Sequence, residues 1–155
     1  LAECSAAPDH LRAGDARLRL REAPEQAYAL IAIDAFNSDS IPVHLLTREA
    51  VALYLSKLAQ GGLLAFHVSN RYVDLAPVLG RLARDAGLVA CGLDDWDVTD
   101  AERAQGKEAS EWIALARRTA DLGTLARRWP ALQPPKDAPL WTDDFSSLRT
   151  VFKWE

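Results

Sequence analysis

The chain has 155 residues, a net charge of -4, 49% hydrophobic and 26% charged residues, which fits one soluble domain with a real core. The acidic balance gives no reason to expect nucleic-acid binding, which calls for basic patches, and biases encounter weakly toward cationic substrates. Two cysteines, Cys4 and Cys91, are too few for a disulfide framework and lack metal-ligand spacing, and no apolar run approaches the roughly 20 residues that span a bilayer.

No signal peptide is evident, and the cysteine usage suits a reduced, cytoplasmic compartment. The chain contains no Met and begins at Leu1, so we read it as processed, cut or partly represented.

Residues 1–12 are small and polar without a clean period. "RLRLR" alternates like an edge strand, but a short helix from Ala16 to about Glu22, with Asp15 as N-cap and Pro24 ending it, is the preferred assignment. "YALIAID", residues 28–34, predicts a strand buried on both faces, as in a parallel sheet. A polar loop with Asn37, Ser38, Asp39 and Ser40 follows, punctuated by Pro42. Thr47 then caps a helix with apolar Val51, Leu53, Tyr54, Leu55 and Leu58, and Gly61 and Gly62 stop it.

"LLAFHVSN" predicts a second buried strand ending in Ser69 and Asn70. "LAPVLGRLARDAG" predicts an amphipathic helix closed by Gly87, and "LVACGLD" a third strand. Residues 94–110 read as an acidic loop, "EWIALARR" as a fourth strand, and "ADLGTLARRW" as a last short helix. A Pro-rich connector leads to the tail "LWTDDFSSLRTVFKWE". Strands alternating with helices predict an α/β sheet covered on both faces. Ligands in such sheets bind at the carboxyl ends of the strands, which is where Asp34, Asn70 and the 94–97 cluster would lie.

Each candidate has a plain alternative. Asp34 and Asp39 either close a strand and solvate a loop, or recognise an amine, one taking its proton and the other holding a second cationic group. Asp15 caps a helix or accepts a hydrogen bond from a purine's exocyclic amine. Trp96 is a packed loop anchor or a substrate-facing aromatic lid. His67 reads as a satisfied strand residue, His44 as a loop residue with a weaker functional claim, and Asp143 and Asp144 as solvated tail residues. No HxH or HExxH spacing points to a metal, and no G-x-S-x-G elbow surrounds Ser38 or Ser40.

Together "GDARLRL", "YALIAIDAFNSDSIPVHLLTREAVALYLSKLAQGGLLAFHVSN" and "LWTDDFSS" resemble the spermidine synthase family, over roughly residues 13–117 with a weaker match in the tail. The likeness is greatest to bacterial spermidine-synthase-like proteins, some fused to transporter-like membrane segments. It implies a Rossmann-like (class I methyltransferase-like), mostly parallel sheet flanked by helices. The implied reaction moves an aminopropyl group from decarboxylated S-adenosylmethionine to putrescine or a related amine.

By resemblance Asp34 matches the proton acceptor and Asp39 its amine-binding partner, while Asp15 and Ala16 match the pair that contacts the adenine. Two departures stand out. Four residues separate Asp34 from Asp39 where the family has two, and the family's Gly-rich cofactor loop has no counterpart before Asp15. The expectation is therefore one partial domain over 1–155, truncated at its N-terminal side, with tail 118–155. It would be weakly active or inactive alone, would self-associate through an exposed sheet edge, and would be cytoplasmic or the soluble part of a membrane-anchored parent. The rivals are an S-adenosylmethionine-dependent methyltransferase and a non-catalytic interaction domain on the same fold.

Overall fold

Helix α1 (Ala16–Arg21) starts where the sequence puts its cap. In the computed structural model, which describes residues 12–36 and 41–153, Asp15 is extended and its carboxylate accepts the Leu18 N–H. Strand β1 (Tyr28–Ile33) follows, then a 3₁₀ turn at Val43–Leu45. Helix α2 (Arg48–Lys57) begins at Thr47, whose hydroxyl accepts the Ala50 N–H. Strand β2 (Leu58–His67), helix α3 (Ala76–Asp85) and strand β3 (Val89–Asp95) come next. Helix α4 (Asp100–Ala104), strand β4 (Ser110–Ala116) and helix α5 (Leu125–Arg128) complete the named elements.

The strands form one sheet in the order β1-β2-β4-β3. β1 pairs parallel with β2, but β4 runs antiparallel to both β2 and β3. The sheet is therefore mixed, which corrects the mostly parallel arrangement expected from the sequence. The reason lies in the connections. The stretch holding α3 carries the chain back across the sheet, so β3 runs parallel to β2 with a gap between them. Residues 96–109 return the chain directly from the end of β3, so β4 fills that gap in the opposite direction.

Four local expectations change. The 94–110 stretch is not all loop: Thr99 and Glu102 form a capping box, each side chain accepting the other's backbone N–H, and α4 grows from it. Gly61 and Gly62 do not stop α2, which has already ended at Lys57; they lie within β2. There β2 uses residues 58 to 63 against residues 28 to 30 of β1, an irregularity that puts Gly61 at φ +73°, and a Cβ on Gly62 would stand 2.7 Å from Leu58 Cγ. The helix expected over "ADLGTLARRW" is split by Gly123 at φ 59° into a 3₁₀ turn, Thr119–Leu122, and α5.

β1 is also buried on one face only. Ile31 and Ile33 pack inward beside Leu64 and Phe66, while Leu30 is 54% exposed and Ala32 faces outward too. Both faces of β1 are apolar, so alternation could not say which one another layer covers. The main core joins these residues to Val51 and Tyr54 of α2, Leu79 and Leu82 of α3, Ile113 and Leu115 of β4, and Trp141 from the tail. Burial pushes the Tyr54 hydroxyl's pKa well up, and its O–H donates to the Leu45 carbonyl.

Gly87 closes α3 as read, at φ +67°. A Cβ there meets nothing within 4 Å, so Gly87→Ala tests backbone conformation alone. The substitution is expected to cost about 1 kcal/mol in urea denaturation, the left-handed penalty of an L side chain.

Candidate active site

β1, β2 and β3 run the same way, so their carboxyl ends share one edge of the sheet. Asp34 follows β1 directly, His67 ends β2, and Trp96 follows β3. Together with Ala35, Phe36, Ser69 and Arg71 they line a cavity of about 440 Å³. This is the crevice position expected for ligands of an open α/β sheet.

The alternation of β2 builds the centre of the site. Phe66 and Val68 turn into the core, at 0% and 1% exposure, so His67 and Ser69 share the other face. His67 Nδ1 lies 2.7 Å from Asp34 Oδ1, and His67 Nε2 lies 2.7 Å from Ser69 Oγ. The Glu111 N–H, at the start of β4, donates to Ser69 Oγ at 2.7 Å. The imidazole stacks on Trp112, with centroids 4.8 Å apart and planes 18° apart.

The proton positions follow from the partners. An ionised Asp34 can only accept, so His67 carries its hydrogen on Nδ1. Nε2 is then the acceptor, and Ser69 donates its hydroxyl hydrogen to it. The backbone N–H of Glu111 can only donate, so it takes up a lone pair of Ser69 and leaves that hydrogen for His67. Among the described residues the second oxygen of Asp34 has no hydrogen-bond partner, and the side chain is 68% exposed at the cavity mouth.

The rim is aromatic and cationic. Trp96 is 42% exposed, and the Lys153 ammonium lies 5.8 Å from its ring centroid. The Arg71 guanidinium lies 5.9 Å from the ring of Tyr72. Glu111 is held above the usual carboxylate range, first by burial and then by the charges of Asp74 and Asp94.

Asp15 and Ala16 lie elsewhere. Asp15 lines a second, polar cavity of about 300 Å³ with Arg17, Leu18, Arg21, His44 and Asp143, and this shares no residue with the Asp34 cavity. Both Asp15 oxygens are engaged, Oδ1 by the Leu18 N–H at 2.8 Å and Oδ2 by His44 Nε2 at 2.9 Å. These contacts, the Leu18 N–H first, hold its carboxyl below the usual range. Ala16 is the first residue of α1. Asp39 lies outside the described residues.

Asp143 is no solvated tail residue. Its two oxygens take a two-pronged hydrogen bond from Arg17, 2.7 Å each, and Oδ1 accepts the Thr47 hydroxyl at 2.7 Å. Its backbone N–H donates to Glu49 at 2.9 Å. Arg17 chiefly, then Thr47, brings the Asp143 carboxyl down to about 2 from 3.8. A carboxyl with a lowered folded pKa stabilises the fold above its unfolded value and loses that contribution as pH falls through the folded one. Acid unfolding is therefore expected to steepen between about pH 4 and 2, and Asp143→Asn to flatten that limb, read by circular dichroism against pH. An unchanged acid limb in Asp143→Asn counts against this anchoring role.

His67 and Ser69 are the site residues that sequence reasoning set aside or passed over. The available signal was "FHVSN", two polar residues at alternate positions of a strand end whose other face is apolar. Among the described residues no three His, Cys, Asp or Glu side chains group as metal ligands. Among the same residues no helix is long and apolar enough to cross a membrane.

Compared with known proteins, the chain matches no family model and no curated protein sequence.

Proposed function

We propose that this chain is the amine-side part of an aminopropyltransferase on a methyltransferase-like Rossmann sheet. The exposed carboxylate of Asp34 receives a proton from a small amine seated at the carboxyl edge. One observation carries the proposal: Asp34 stands at the mouth of a strand-end cavity with one oxygen held by His67 and the other turned to no described partner. A carboxylate so placed attracts a diammonium ion and takes a proton as the nitrogen attacks the carbon of a sulfonium. The leaving group departs as a neutral thioether, here methylthioadenosine, so no acid is needed to expel it. What remains is positioning.

Trp96 walls the amine's side of the cavity, and Asp39 is the proposed second carboxylate. Contact of Asp15 with an adenine amine requires His44 to release Oδ2, since Asp15's other oxygen serves the helix cap. The co-substrate is decarboxylated S-adenosylmethionine. Methylthioadenosine, sought by mass spectrometry in a mixture of the chain with that compound and putrescine, tests the reaction, and a partial domain is expected to release it only weakly. Methyl transfer from S-adenosylmethionine instead would establish the rival methyltransferase.

The outer edge of β1 pairs with no described strand, and Leu30 beside it is exposed. This supports self-association through that edge. Light scattering is expected to show more than a monomer, and a clean monomer overturns that part of the proposal.

A further inference from the structure

Three features of the molecule lie outside amine alkylation. The apolar cavity beside Cys91, about 450 Å³, holds one buried thiol and nothing else that points to a ligand. In the Asp15, His44, Arg17 and Asp143 cluster both carboxylates are already bonded within the chain, and the buried Arg17 Nε, without a partner among the described residues, is not by itself a site. The third feature, the hydrogen-bonded line from Asp34 through His67 to Ser69, is directional, opens on a cavity and ends on a hydroxyl.

We propose that Asp34, His67 and Ser69 form a charge-oriented nucleophilic triad, with Ser69 able to take an acyl or phosphoryl group from a small activated ester. The parts are those such chemistry requires: a hydroxyl donating to an imidazole, the imidazole held by a carboxylate on its other nitrogen, and a cavity open to all three. Both hydrogen bonds are 2.7 Å. The three residues come from the ends of two neighbouring parallel strands, a rigid support, and Trp112 fixes the imidazole plane from one side. Arg71 lines the same cavity and offers a cation for the oxyanion.

Ser69 Oγ attacks the ester carbonyl while its proton passes to His67 Nε2, giving an imidazolium paired with Asp34 and a tetrahedral oxyanion. Collapse breaks the bond to the leaving oxygen, which takes the proton from Nε2, and the acyl group stays on Ser69. Water then attacks the acyl-serine by the same route, with His67 first accepting and then returning a proton, and releases the carboxylic acid. The cavity, about 440 Å³, is of a size for a short-chain ester.

This inference does not rest on the amine reading, because it activates a residue of the chain and not an incoming nucleophile. Diisopropyl fluorophosphate is the probe, and peptide mass spectrometry locates the adduct. The expected result is phosphorylation at Ser69, slowed on the order of 100-fold in His67→Gln and in Asp34→Asn. Ser69→Cys is expected to lose that adduct and gain iodoacetamide alkylation at position 69 that slows when His67→Gln is added, a dependence on the imidazole that a merely structural position would not show. Circular dichroism confirms that each variant is folded. No adduct at Ser69 in folded protein, or labelling that ignores both substitutions, overturns the triad and leaves Ser69 as the tie between β2 and β4. Labelling at Ser69, or its absence, does not decide whether the unlabelled chain binds putrescine or releases methylthioadenosine, so the two readings fail separately.

Discussion

Trp141→Ala is expected to lower stability by about 3–5 kcal/mol, the range for removing a buried aromatic from a packed core. Trp141 is 0% exposed although it belongs to a tail that follows a Pro-rich connector. Its ring joins the main core, and its carbonyl accepts the Arg48 N–H at the start of α2 at 2.9 Å. The tail is thus part of the fold, and Asp143, two residues on, meets Arg17 of α1 and Glu49 of α2. At a few degrees per kcal/mol for a chain of this size, the melting temperature should fall by roughly 6–20 °C. Trp141→Phe separates volume from polarity. The indole Nε1 is buried without a partner among the described residues, so phenylalanine deletes an unsatisfied donor while leaving a smaller cavity. Its loss should be well under half that of alanine. Equal urea midpoints for wild type and Trp141→Ala would show that the tail is not part of the cooperative core.

Asp34→Asn has the largest expected effect on function. The change keeps the side chain's shape and removes its charge. Putrescine binding by calorimetry should weaken roughly tenfold, about 1.4 kcal/mol, a modest value because the carboxylate is mostly exposed before a ligand seats. Methylthioadenosine release should fall further, by about 10²–10⁴, the contribution of a positioned proton acceptor. An asparagine amide can also donate to His67 Nδ1, which would turn the imidazole to its other tautomer and reverse the hydrogen bond to Ser69. Asp34→Asn therefore affects both proposed chemistries, whereas Ser69→Cys addresses the triad alone. Equal affinity for putrescine in wild type and Asp34→Asn would remove Asp34 from the amine site.

Local rules carried much of the architecture. Asp15 and Thr47 were legible as caps because a cap bonds a backbone N–H three residues away, and Gly87 because a helix end needs a left-handed residue. The apolar runs of β1 and β2 were legible as strands, and Asp34 as the residue that β1 delivers to the sheet edge. The amine chemistry came from resemblance to a family, and the spacing of the carboxylates alone did not supply it.

What remained hidden depends on residues far apart in the chain. Arg17 meets Asp143 across 126 positions, and His67 meets Asp34 across 33. No periodicity within either segment encodes such pairs. The direction of β4 was set by how residues 96–109 return the chain, and β1's exposed face by the absence of a covering layer among the described residues. The sequence by itself determined most of the segments that become helices and strands, α4 and the first residues of β2 excepted, and which polar residues end them, because caps, turns and alternation act over a few residues. Only the tertiary structure decided that one strand end supplies a histidine and a serine to the other's aspartate, because that meeting exists only once β1 and β2 are paired in register.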